Sequence, residues 1–129
     1  MINAPLPRIS VQCVRVPVTN GHLAAVFARF EKKISIDEIK QRWNSFTGEP
    51  QKLALPSAPK RFLHVFDEDD RPQTRLDRDI ENAMAISVGR LREDSQYDIK
   101  FICLSHNTVR GAAGGAVLMA ELLCAKGFI

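Results

Sequence analysis

The sequence predicts an α+β domain built on a mixed, largely antiparallel sheet with helices on one face. Three observations carry that prediction. Runs of β-branched residues recur with hairpin-like connections, one stretch has clean helical periodicity, and a Gly/Ala-rich apolar run closes the chain. With 129 residues, 45% of them hydrophobic and 26% charged, the chain has the length and composition of one globular domain with a core of its own.

The elements follow in order. Residues 9–18 (ISVQCVRVPV) read as a strand, with 9, 11 and 13 on one face and 14, 16 and 18 on the other, and the switch near Cys13 suggests a bulge or burial on both sides. Thr19-Asn20-Gly21 is a turn signal, and residues 22–30 return from it as a second strand, completing a hairpin. Ser35 and Glu38 have capping-box spacing, and Ile36, Ile39, Trp43 and Phe46 recur at helical intervals until Gly48 and Pro50 end the pattern. After a loop punctuated by Pro56 and Pro59, residues 61–66 form a short strand that the charged run 67–72 cannot continue. Residues 73–82 carry no clean period and are assigned no element. Strands at 84–91 and 98–105 follow, separated by a charged turn around Arg92-Glu93-Asp94. A single long helix then opens at Gly111 and closes at Lys126 and Gly127.

Several function classes lose support at this stage. The longest apolar stretch, residues 116–125, is interrupted by Glu121 and is too short for a bilayer, so no membrane role is expected. The first residues lack a signal-peptide pattern, which predicts a cytoplasmic protein. A net charge of +3, evenly spread and without a supporting motif, gives no reason to expect a nucleic-acid partner. Cys13, Cys103 and Cys124 are odd in number and far apart, which argues against a disulfide framework and a cysteine zinc site. All three are expected to be core residues rather than nucleophiles, and the three histidines show no metal-ligand spacing, so no metal is expected.

Three features are candidates for chemistry. Arg15 interrupts an apolar strand, where a guanidinium can grip a carboxylate or phosphate in bidentate fashion or simply make a structural ion pair. His22 follows the tight turn, where the hairpin would bring it to the same end as Arg15, and its near-neutral side chain suits proton transfer. A half-buried surface histidine is the alternative. His64 and His106 are weaker candidates. Ser105-His106-Asn107-Thr108, followed by Gly111 and its small neighbours, places polar groups and close-approach backbone at a strand-to-helix junction. That arrangement suits a cofactor, or it serves only to let the helix pack tightly.

Five stretches, ISVQCVRVPVTNGH (9–22), SAPK (57–60), DRPQTRLDR (70–78), VGRLRED (88–94) and LSHNTVRGAAG (104–114), resemble the C-terminal portion of aspartate-semialdehyde dehydrogenases of the fungal and archaeal branch. They occur in the family's order. The resemblance implies a dimerisation domain of the glyceraldehyde-phosphate-dehydrogenase-like superfamily over residues 9–104. It also implies a C-terminal segment, 105–129, that packs back on an NADP-binding domain, while residues 1–8 fall outside the match. In that family a cysteine thiolate attacks L-aspartate 4-semialdehyde, a hydride passes to NADP, and phosphate releases 4-phospho-L-aspartate; biosynthesis of lysine, methionine and threonine runs the reaction in reverse. By this resemblance Arg15 binds the substrate carboxylate, His22 is the general base, Asn107 and Gly111 lie at the cofactor, and the protein forms a homodimer or homotetramer.

The resemblance also implies what these 129 residues do not supply. The family's nucleotide-binding domain, nucleophilic cysteine, and further Glu and Lys site residues precede the matching region, so the chain is expected to be inactive alone. A second reading, of a different class, is an interaction module that pairs with the full-length enzyme.

Overall fold

The computed structural model describes residues 8–129. Its strands are His22–Ala28 (β1), Leu63–Val65 (β2), Ile86–Glu93 (β3) and Ile99–Ser105 (β4), joined in one sheet in the order β1-β4-β3-β2. β1 and β3 both run antiparallel to β4, and β2 adds parallel to β3. The sheet is therefore mixed and largely antiparallel, as the sequence predicts.

Directly paired residues share a face of the sheet. One face carries His22, Ser105 and Ile86, then Ala24, Cys103 and Val88; the other carries Leu23, Leu104 and Ser87, then Ala25, Ile102 and Gly89. The first face receives Ile36–Asn44 (α1), whose Trp43 meets Phe101 edge-on at 5.0 Å and whose Ile39 is buried. Helix α1 begins where expected because the Ser35 side chain accepts the Glu38 N–H at 3.2 Å. The reciprocal half of the capping box is not made, since the Glu38 carboxylate turns to Arg42 one helical turn on. Phe46 lies beyond the helix end and packs on Phe62, and a separate turn, Glu49–Lys52 (α2), follows.

On the other face, residues 71–77 lie across β3. Thr74–Asp77 (α3) carries the buried Asp77, whose carboxylate accepts Arg71 Nε at 2.8 Å, Arg71 Nη2, and the Gln73 N–H at 2.7 Å. Its carbonyl faces the buried Ser87 hydroxyl at 3.4 Å, which ties this segment to the sheet. Ile80–Ala83 (α4) comes next, with Glu81, Asn82 and Ala83 at φ of 53°, 56° and 64°. Three successive non-glycine residues in the left-handed region store strain of about 1 kcal/mol or more each. Burial of Ala83, Met84 and Ala85 holds them there, together with the Lys60 N–H donated to Glu81 Oε2 at 2.9 Å. These two short elements defeat periodicity because each is a single turn fixed by long-range contacts.

Three sequence expectations are corrected. Residues 9–18 form no strand and no hairpin: β1 pairs only with β4, and a strand-like sequence becomes a strand only where a partner offers its backbone groups. Ile9, Val11, Val14 and Val16 accordingly remain more than half exposed. Cys13 and Cys124 are not core residues but exposed; Cys103 sits half-buried in β4, and burial pushes its thiol pKa up. The closing helix is continuous but starts earlier and differently from expectation: its first turn, Val109–Ala113, is π-helical and runs directly into Gly114–Ala125 (α5).

The charged turn also shifts by a residue or two. β3 runs on to Glu93, and Asp94 starts the turn by accepting the Gln96 and Tyr97 N–H groups at 2.9 and 3.0 Å and pairing with Lys100. No helix among the described residues is long and apolar enough to cross a membrane. The part of the expected non-matching start that spans residues 1–7 lies outside the described residues.

Candidate functional site

The start of β1 and the end of β4 meet at one end of the sheet, where His22 pairs with Ser105. A hydrogen bond closes the junction: the Gly21 N–H donates to Asn107 Oδ1 at 2.9 Å, across 86 residues of sequence. Gly21 is buried with φ of +103°, and a Cβ there would press on Leu104 and Thr74 side chains at 3.2 Å each. The positive φ calls for glycine, and the close methyl groups add to the cost of a Cβ. Two of the sequence candidates, His22 and Asn107, are thus brought to one place by residues from opposite ends of the chain.

Arg15 is not brought there. It lies exposed in the unpaired segment, and the hairpin that would carry it beside His22 is absent because β1 pairs only with β4.

The Asn107 turn is organised by its neighbour. His106 is 5% exposed, and its Nδ1 accepts the Val109 N–H at 3.2 Å with the Thr108 hydroxyl 3.3 Å away. Its carbonyl accepts the Gly111 N–H at 3.0 Å, closing the π-helical turn. An Nδ1 that accepts a backbone N–H leaves the ring proton of the neutral imidazole on Nε2, which lies 3.8 Å from Asp79 Oδ1. The sequence ranked this histidine low because nothing in its spacing reveals a partner donated by the following turn.

The glycines after it divide into two kinds. A Cβ on Gly114 would overlap Met84 Sδ and crowd Val109, so this glycine lets α5 approach the 80–85 turn. Gly111 is exposed, and the nearest atom to an added Cβ would be the His106 carbonyl oxygen at 3.6 Å. Packing within the chain therefore explains Gly114 and gives no steric reason for glycine at 111. Beside this junction an open cleft of about 460 Å³ is lined by residues that include Ser57, Lys60, Glu81, Met84 and Gly114. Its outer loop is held at both ends by carboxylates. Glu121 accepts the Ser57 N–H and hydroxyl at 2.9 and 2.6 Å, and Glu81 accepts the Lys60 N–H. Among the described residues no three His, Cys, Asp or Glu side chains gather where they could hold a metal.

This architecture can be set beside known proteins. A family model described as "Semialdehyde dehydrogenase, dimerisation domain" matches residues 2–110. The chain belongs to that family. Aspartate-semialdehyde dehydrogenase of Methanothermobacter thermautotrophicus is 47% identical over 117 residues, covering 89% of this chain and 34% of the relative. The Aspergillus fumigatus enzyme of the same name is 49% identical over 126 residues, covering 94% and 35%. Among solved structures, aspartate semialdehyde dehydrogenase with NADP from Candida albicans superposes with a TM-score of 0.82 at 47% identity, over 89% of this chain and 33% of that one. A Vibrio cholerae aspartate semialdehyde dehydrogenase II complexed with ASA gives 0.66 at 27% identity, over 86% and 29%. The chain spans about a third of the length of the relatives it matches.

Proposed function

We propose that this chain is the C-terminal part of an aspartate-semialdehyde dehydrogenase, interconverting 4-phospho-L-aspartate and L-aspartate 4-semialdehyde in amino-acid biosynthesis. The observation that carries the reading is the Gly21–Asn107 hydrogen bond, which fixes His22 and the Asn107–Gly111 turn at one end of the sheet. Similarity to enzymes of that name over nearly the whole chain supports it. The division into a dimerisation domain over residues 9–104 and a segment, 105–129, that meets a nucleotide-binding domain belongs to the same proposal.

In this reading each residue has a distinct task. The Arg15 guanidinium grips the substrate carboxylate once residues 9–18 gain a pairing partner, and His22 moves a proton at the reacting centre. Asn107 and Gly111 hold NADP, Gly111 by presenting backbone without a side chain. When bound, NADP supplies the hydride acceptor or donor. Phosphate and a cysteine nucleophile complete the reaction, and neither His22 nor Arg15 performs it alone.

The test is a graft. The matching third of the Candida albicans enzyme is replaced by this chain, and NADP-dependent turnover of L-aspartate 4-semialdehyde with phosphate is measured. Turnover within about tenfold of the parent, a loss of some 1.4 kcal/mol, is expected; a folded graft without turnover contradicts the reading.

The same proposal assigns an association surface. Leu23, Ala25 and Phe27 alternate on one face of the edge strand β1, with Leu23 and Phe27 50% and 54% exposed. A second copy of a dimerisation domain is the occupant that the family description favours. Sedimentation equilibrium should show a dimer that Phe27→Asp converts to a folded monomer; an unchanged dimer would place the interface elsewhere.

A further inference from the structure

We propose that His106 is a positioning residue for His22: its imidazole caps the turn that aims Asn107 at the Gly21 N–H, and so sets where β1, and His22 with it, begins. The inference rests on the reading of His22 as the base. Its geometry stands without that reading.

The chain of contacts is short and complete. The Nδ1 lone pair of His106 accepts the N–H of the residue three positions on, which is the service that a Ser, Asp or Asn side chain renders at a helix N-terminus. A capped turn fixes the path of residues 106–109, and Asn107 stands inside it. Asn107 Oδ1 then accepts the Gly21 N–H, and His22 is the next residue. The ring that supplies this acceptor is itself 5% exposed and so is held in place by its surroundings, and a side chain without an acceptor at this point removes the one protein partner that the half-buried Val109 N–H has among the described residues. Asp79 lies on the Nε2 side of the ring, where it favours the proton on Nε2 that the cap requires. Among the described residues, the Thr108 hydroxyl, 3.3 Å from Nδ1, is the one other side-chain group at that lone pair.

The alternative is that His106 merely fills space, and the position of its acceptor separates the two. Asn places Oδ1 two bonds from Cβ, as Nδ1 is in His, whereas Gln carries its carbonyl one carbon farther out, and Leu offers no acceptor. The experiment uses the 129-residue chain, labelled with 15N, and reads amide exchange at Gly21 against the β3 and β4 amides, together with the His22 Cε1–H resonance. His106→Leu should speed Gly21 exchange by about tenfold and move the His22 resonance, with β3 and β4 little changed. His106→Asn should restore both to within about twofold, and His106→Gln should not. Gly21 exchange within twofold of wild type in the Leu variant overturns the proposal, as does equal behaviour of Asn and Gln. If His106→Leu unfolds the chain, the Asn and Gln pair decides by the same criterion. None of these readouts requires turnover, so an inactive graft with the expected Gly21 response would reject the proposed reaction and leave this positioning intact.

Discussion

His22→Ala in the grafted enzyme should lower kcat by roughly 10²- to 10⁴-fold with a much smaller change in KM, because general-base assistance acts in the transition state and not on substrate binding. His22 opens β1 opposite Ser105, and Gly21 before it is pinned to Asn107, so its backbone is held from two sides. That rigidity is what a proton-transfer group needs, since small misplacements of reacting atoms cost large factors in rate. Steady-state kinetics decide the matter. A variant with near-parental kcat would remove His22 from the chemistry, and a rise in KM alone would make it a binding residue.

The largest stability effect is expected at Asp77. Its carboxylate is buried and receives Arg71 from two nitrogens and the Gln73 N–H, while Arg71 also stacks 4.7 Å from the Phe66 ring centre. Asp77→Ala strands the Gln73 donor and the Arg71 charge together, for a loss of about 3 kcal/mol. Chemical denaturation of the chain measures it, and a loss below about 1 kcal/mol would show that the network contributes little net.

The same site predicts acid sensitivity. Burial pushes the Asp77 pKa up, but the hydrogen bonds from Arg71 and Gln73 and the Arg71 charge outweigh it, so the folded pKa lies below the ordinary value. A carboxylate depressed on folding contributes fully above its unfolded pKa, near 4, and that contribution is lost as pH falls through the folded value. Asp94 acts in the same direction: the Gln96 N–H, Lys100 and the Tyr97 N–H hold it down to about 2. Melting temperature should therefore decline as pH falls from about 4 toward 2, and the decline should be shallower in Asp77→Ala. Equal slopes for the two proteins would contradict the linkage.

What the sequence made legible was whatever local pattern controls. The Ser35 cap placed the start of α1 to the residue, while the period that runs on to Phe46 overshot its end at Asn44, and the runs of apolar residues located β1, β3 and β4 within about two residues. Where a partner decides the outcome, the pattern misled. Residues 9–18 have strand composition, yet no described strand offers them a ladder, so the hairpin and the placement of Arg15 beside His22 do not appear. Residues 73–82 were silent for the opposite reason, since their turns are fixed by the Arg71–Asp77 pair and by Glu81 reaching Lys60. At the site, His22, Asn107 and Gly111 were visible as residue types beside turns. The bond joining Gly21 to Asn107 was not, because contacts 86 residues apart leave no mark on local spacing.

Under the proposed function, Arg15 and His22 serve one substrate at the β1–β4 end of the sheet, beside the Asn107 turn. A crystal structure of the graft with L-aspartate 4-semialdehyde bound tests it most directly. The predicted result has residues 9–18 paired as a strand, the Arg15 guanidinium on the substrate carboxylate, and the His22 ring within about 3.5 Å of the reacting group. Substrate held elsewhere, with Arg15 and His22 both in solvent, would contradict it.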